Sequence, residues 1–90
     1  MPGYLVETFL PRDAAVERQA RERRARAAVD AMARSGARVR FVGSIHVPED
    51  ETCFYTFEAA SGAEVAVVAQ RAGLEALRVV EAVTSEAEEQ

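Results

Sequence analysis

Residues 38–59, RVRFVGSIHVPEDETCFYTFEA, decide the fold of this chain. Apolar and polar residues alternate through residues 39–46, and residues 52–57 form a second run of β-branched and aromatic residues. Both runs have the period of two and the residue types of a pleated strand. Between them, Pro48 presets φ for a turn and Asp50 can hydrogen-bond its own backbone. The stretch therefore predicts a β-hairpin whose turn is longer than two residues.

The alternation predicts which side chains share a face. One face of the first strand should carry Val39, Phe41, Gly43 and Ile45, and the other Arg40, Val42, Ser44 and His46. In the second strand Cys53, Tyr55 and Phe57 oppose Thr52, Phe54, Thr56 and Glu58. A sheet with one wet face should alternate cleanly between apolar and polar. Because large apolar groups fall on both faces, we expect both to be covered. The chain has helices for one face only, so a second copy is the simplest cover, and the sequence predicts a homodimer.

The segment before the hairpin predicts a strand over residues 3–10 and a long helix. Pro11 ends the strand, and Asp13 is the expected N-cap of a helix that runs to about Arg34. Gly36 is suited to the position after its end. The predicted buried stripe is Val16, Ala20, Ala27 and Ala31. Arginines 18, 21, 23, 24 and 26 are expected on the solvated face, with Glu17 and Glu22 as local ion-pair partners.

The segment after the hairpin predicts a second helix and a last strand. Ser61 and Glu64 have the spacing of a capping box. The apolar stripe that follows is Val65, Val68, Ala69 and Ala72, and Gly73 is the expected C-terminal stop. Residues 78–83 form the last strand. The resulting β-α-β-β-α-β order predicts an α+β, ferredoxin-like fold, with a four-stranded antiparallel sheet and two helices on one face. Residues 1–84 form this single domain, and residues 85–90 are expected to be an acidic flexible tail.

Length and charge exclude several classes of protein. Ninety residues make one domain with a small core, which again favours a dimer. The net charge of −4 argues against nucleic acid or an anionic membrane as the main partner. No apolar run approaches the ~20 residues of a membrane span. The single cysteine allows no internal disulfide. We expect a cytoplasmic protein.

Two glutamates in strands are candidates for chemistry. Glu7 lies between Leu5 and Phe9 on its face, and Glu81 lies between Val79 and Val83. If those faces coincide, the two carboxylates are close among apolar groups, and one has a raised pKa suited to acid–base work or to holding a cation. The alternative is that each pairs with an arginine, such as Arg40 or Arg78.

Four further residues are candidates for a pocket or a metal site. His46 is the only histidine, and with Cys53 it could supply metal ligands, more of which a dimer would provide. The alternatives are an exposed histidine at a strand end and a cysteine that acts as a small buried hydrophobe. The hydroxyls of Tyr4 and Tyr55 could enter a pocket, or could lie in water while the rings pack.

The segments VPEDETCFYTFEA, RAGL and RVVEAV resemble a family of small bacterial proteins of unknown function described as nickel-binding-protein-like. The resemblance extends from the LVE of the first strand to the VEAV of the last. It implies a dimeric ferredoxin-like fold and binding of nickel or another divalent metal. Three functions are therefore open: a homodimeric module for a metal or a small apolar ligand; an enzyme resembling dimeric α+β barrel monooxygenases or isomerases, with Glu7, Glu81 or His46 as acid or base; and a purely structural dimer.

Overall fold

A computed structural model describes residues 1–83 and 85 and gives them one sheet and two long helices. In chain order the elements are β1 (Gly3–Phe9), α1 (Ala15–Arg34), β2 (Val39–Val47), a 3₁₀ turn (Pro48–Asp50), β3 (Thr52–Ala59), α2 (Gly62–Arg71) and β4 (Arg78–Ala82). Every helix and strand expected from the sequence is present. The tail predicted for residues 85–90 lies, apart from Ser85, outside the described residues. Within the described part, neither helix is both long and apolar enough to cross a membrane.

The four strands form one antiparallel sheet in the order β2-β3-β1-β4. The central strand β1 pairs with β3, where Tyr4 lies opposite Phe57, and with β4, where Leu5 lies opposite Val80. Residues that lie opposite each other in neighbouring strands share a face of the sheet. The register therefore defines two faces: a helix-covered face, against which both α1 and α2 pack, and an open face, which neither helix covers.

The core lies between the helix-covered face and the two helices. Tyr55 and Phe57 of β3 are its largest fully buried side chains. The apolar stripe predicted for α2 is buried as expected: Val65, Val68, Ala69 and Ala72. The cap of α2 is also confirmed, since the Ser61 hydroxyl accepts a hydrogen bond from the Glu64 N–H at 3.3 Å. Gly36 and Gly73 follow the ends of the two helices with positive φ, as predicted.

The buried side of α1 differs from the predicted stripe. The buried residues are Arg21, Ala25, Ala28, Val29 and Met32. Val16 is 79% exposed, and Ala27 is exposed too. The prediction was wrong because alanines occur on several sides of this helix, so their spacing does not fix its rotation. The larger Val29 and Met32, together with the stem of Arg21, select the side that faces the sheet. Asp13 does not cap the helix either, because the N-cap is Ala14 and makes no side-chain hydrogen bond.

A β-bulge changes the faces predicted for β2. The register with β3 shifts between Phe41 and Gly43. An extra residue on one strand reverses the parity of everything beyond it. Ile45 therefore lies opposite Phe54 on the open face, while Ser44 and His46 lie opposite Tyr55 and Cys53 on the helix-covered face. The predicted alternation holds only for residues 39–42.

Candidate functional site: the open face of the sheet

The open face is rich in exposed apolar side chains. Phe9 is 56% exposed, Val42 53% and Ile45 54%. The remaining large apolar side chains of this face are half-buried by their neighbours: Leu5, Val47, Phe54 and Val80. They come from all four strands, with Thr52, Thr56 and the charged residues of the face between them. Exposed apolar side chains gathered on one face of a folded chain mark a site of interaction or of ligand binding.

The charges of the open face are balanced within the chain. Nη2 of Arg40 on β2 lies 2.9 Å from Oε1 of Glu58 on β3. Nε of Arg78 on β4 lies 2.6 Å from Oε1 of Glu7 on β1. These are the four charged residues that the strands place on this face. One pair lies where β2 begins and the other where β4 begins, so the two neutral pairs occupy diagonally opposite corners. The face as a whole therefore carries no net charge, although the chain is acidic.

A small pocket of about 140 Å³ opens on this face. Its side-chain walls come from Leu5, Val42, Thr56, Glu58 and Ala82. The bulge builds one wall, because it directs Val42 out of the regular register. The carbonyl oxygen of Gly43 at the bulge accepts a hydrogen bond from the Thr56 hydroxyl at 3.0 Å.

Gly3 completes the pocket at the start of β1. A Cβ at this position would lie 2.9 Å from the carbonyl oxygen of Ala82. The absence of a side chain therefore permits the close approach of β4 and leaves this side of the pocket open.

The two candidate glutamates lie on opposite faces of the sheet. Glu81 is opposite Tyr4, on the helix-covered side, and is exposed. Glu7 is on the open face, where Arg78 donates to its Oε1 at 2.6 Å. The carboxylate pair envisaged for acid–base work is therefore not assembled in one chain. The alternative pairing of a glutamate with Arg78 is the one found for Glu7.

His46 and Cys53 lie side by side, but they are not part of a larger set of metal ligands. They are cross-strand neighbours on the helix-covered face. Cys53 is fully buried, as the hydrophobe interpretation predicted, and burial raises the pKa of its thiol. His46 is half-buried rather than exposed, and its buried Nε2 has no hydrogen-bond partner in the part of the chain that the structure describes. Among residues 1–83 and 85, no three His, Cys, Asp or Glu side chains converge on one point that could hold a metal ion.

The tyrosine candidates separate in the same way. Tyr4 is half-buried on the helix-covered face, where its ring approaches Gly62 at the start of α2. Tyr55 is fully buried, and its hydroxyl has no hydrogen-bond partner within the described residues. The expectation that its hydroxyl lies in water was therefore wrong.

Arg21 is a buried cation that the sequence analysis assigned to the surface. Its side chain is only 9% exposed. Nε donates to Glu17 Oε2 at 3.0 Å, and one terminal nitrogen donates to the carbonyl oxygen of Phe9 at 3.0 Å and to the Thr8 hydroxyl at 3.4 Å. The Arg21 hydrogen bond lowers the pKa of Glu17. Arg21 thus ties α1 to the end of β1, which carries Phe9 of the open face.

Stability is expected to fall as the pH rises above about 9. Burial raises the pKa of Cys53 above its ordinary 9.0 and that of Tyr55 above its ordinary 10.0. The unfolded chain releases both protons near those ordinary values, whereas the folded chain retains them. The contribution of the two protonated groups to the free energy of unfolding is therefore complete below pH 9. It is lost as the pH rises, at up to ~1.4 kcal/mol per pH unit for each group. Urea unfolding between pH 7 and 11 measures this loss.

The matched variant is Tyr55→Phe. At pH 7 it should be at least as stable as the natural protein, because the hydroxyl it removes has no partner. Above pH 10 its free energy of unfolding should fall less steeply. Equal slopes for the two proteins would contradict the assignment of the alkaline loss to Tyr55.

Comparisons of the chain with protein-family models, with curated proteins and with solved structures find no match. The resemblance to nickel-binding-protein-like proteins therefore stays a prediction. The case for a functional site depends on the geometry of the chain itself.

The pocket residues Val42, Thr56 and Glu58 were not singled out by the sequence analysis. One signal was available: an isolated glycine within a strand, here Gly43, is typical of a bulge.

Proposed function

We propose that the protein is a homodimer in which the open faces of two copies pack together and the pocket between them binds a small apolar ligand. The observation that supports this most directly is the exposure of Phe9, Val42 and Ile45 on a sheet face that no helix covers. Burial of such groups contributes ~25 cal/mol per Å² of apolar surface. The fold is proposed to be ferredoxin-like, and the strand order β2-β3-β1-β4 supports that assignment.

A second copy of the chain is the occupant best suited to the open face. The two internal ion pairs leave the face neutral, so two identical faces meet without charge repulsion. A strongly charged partner would find no complementary charge there. A partner that is itself apolar and neutral fits, and another open face has both properties.

The size of the face approaches that of a small dimer interface. Strands of seven, nine, eight and five residues make a plate of roughly 19 by 24 Å, or about 450 Å² before side-chain relief is counted. Stable interfaces bury upward of about 600 Å² per partner, which the relief of the side chains brings within reach. The chain is 19 Å thick along its shortest axis, the depth of one sheet and one helix layer.

Methyl NMR with a soluble gadolinium chelate tests the dimer arrangement. The methyl groups of Val42 and Ile45 should be protected from the chelate, although each side chain is more than half exposed in a single chain. Those of Val16 on α1 should relax strongly and serve as the exposed control. Equal relaxation at all three residues would contradict a covered open face.

Xenon tests the pocket independently of ligand chemistry, since an apolar cavity of about 150 Å³ binds xenon or benzene. Under xenon pressure the methyl signals of Leu5 and Val42 should shift and saturate, and those of Val16 should not. A linear, non-saturating response at every methyl group would show that no cavity is present.

A further inference from the structure

The two polar side chains that the open face contributes to the pocket, Thr56 and Glu58, present hydrogen-bond acceptors. The Thr56 hydroxyl donates its hydrogen to the carbonyl of Gly43, so towards the pocket it offers only lone pairs. Oε1 of Glu58 forms an ion pair with Nη2 of Arg40 at 2.9 Å. An ionised carboxylate has further acceptor positions beyond this contact. Arg40 itself does not line the pocket. A ligand that fits this chemistry must therefore bring the donor.

The apolar part of the pocket sets the size of the ligand. Leu5, Val42 and Ala82 line a volume of about 140 Å³ together with the two acceptor side chains. A cavity of about 150 Å³ accommodates one benzene ring. A fused bicyclic compound or a long acyl chain exceeds this space.

We infer that the pocket between the two copies binds a single-ring apolar compound that carries one hydrogen-bond donor, a phenol or an arylalkylamine, directed at Glu58 and Thr56. The inference depends on the proposed function, because in a single chain the pocket opens directly to solvent, and the partner's open face would close it. A carboxylate in the same place would meet only acceptors and would be repelled. A ring without a polar group would make no hydrogen bond to either acceptor and would gain only the apolar contacts.

Four probes of similar size separate these cases: phenol, benzylamine, toluene and benzoate. They are titrated into the dimeric protein while the methyl signals of Leu5 and Val42 are followed. Phenol and benzylamine should bind about tenfold or more tightly than toluene, because a hydrogen bond to a charged acceptor contributes that factor. Benzoate should not bind. Equal affinity for toluene and phenol, or binding of benzoate, would overturn the inference.

Two substitutions localise the effect. Ala82→Leu fills the pocket and should abolish binding of all the probes, whereas Ala27→Leu, on the exposed side of α1, should leave their affinities unchanged. Glu58→Gln keeps an acceptor oxygen and removes the charge. The affinity for benzylamine should therefore fall by about tenfold, and the affinity for phenol by less. Unchanged benzylamine affinity in Glu58→Gln would contradict the role of Glu58.

The results also distinguish this inference from the proposed function. If xenon enters the dimer but the donor-bearing rings show no preference, the ligand class is wrong and the apolar dimer pocket stands. If the dimer forms and takes up neither xenon nor any ring compound, both are wrong.

Discussion

Replacing Ile45 by aspartate is expected to convert the proposed dimer to a monomer. Ile45 is 54% exposed on the open face, where it lies opposite Phe54 and two residues before Val47 on the same strand. In the dimer the new carboxylate would be buried without a partner, once in each copy, and an unpaired buried charge costs several kcal/mol. The dissociation constant should rise at least about 100-fold, equivalent to about 2.7 kcal/mol. Sedimentation velocity across a dilution series measures it.

The control for this change is Val16→Asp. Val16 is more exposed than Ile45, at 79%, but lies in the first turn of α1, away from the open face. The same substitution there should leave the dissociation constant unchanged. Phe9→Glu, on β1 of the open face, should reproduce the effect of Ile45→Asp. A dimer that survives both open-face substitutions with native circular dichroism would exclude this face as the interface.

Replacing Arg21 by methionine is expected to give the largest loss of stability among the arginine substitutions in α1. Methionine keeps an apolar stem but removes the guanidinium, which leaves the Phe9 carbonyl without its Arg21 donor and leaves Glu17 paired only with Arg24, 3.6 Å away. A buried acceptor left without its donor costs about 1–3 kcal/mol. Urea denaturation measures the change in the free energy of unfolding.

Arg23→Met is the matched control, because Arg23 lies on the exposed side of the same helix. It should change the free energy of unfolding by less than about 0.5 kcal/mol. Equal effects of the two substitutions would show that Arg21 contributes no more than an ordinary surface arginine.

The sequence predicted the secondary structure well because the residues that begin and end its helices and turns act on their immediate neighbours. The Ser61 hydroxyl accepts a hydrogen bond from the backbone N–H of Glu64, and Gly36 and Gly73 adopt positive φ after the helices. These signals involve only residues close in sequence, so a single sequence shows them. The hairpin of residues 38–59 was equally predictable, because runs rich in β-branched and aromatic residues lie on both sides of a turn that contains proline. Each of these elements is found where it was expected.

The sequence could not predict how side chains on different strands and helices are placed relative to one another. Glu7 and Glu81 each lie among apolar residues of their strands, but only the register of β1 with β4 shows that they face opposite ways. The bulge before Gly43 moves Ile45 to the open face, and a period of two cannot reveal where that period is broken. The rotation of α1 depends on which side of an alanine-rich helix meets the sheet. That choice is made by Val29 and Met32 together with Arg21, which the sequence pattern placed in solvent.

The candidate site could likewise be predicted from the sequence only in part. The sequence indicated that large apolar groups occupy both faces of the sheet, and the exposed Phe9 and Ile45 agree with that reasoning. The pocket was not foreseeable, because it depends on Val42 at the bulge and on the close approach of Ala82 to Gly3.

Sedimentation equilibrium of the natural protein at micromolar concentration tests the central claim most directly. One chain has a mass of 9.8 kDa. The account predicts a dimer of twice that mass, maintained on dilution through the low micromolar range and insensitive to salt, because apolar contacts and not ion pairs hold the two faces together. A single species with the mass of one chain, soluble and folded at the same concentration, would contradict it.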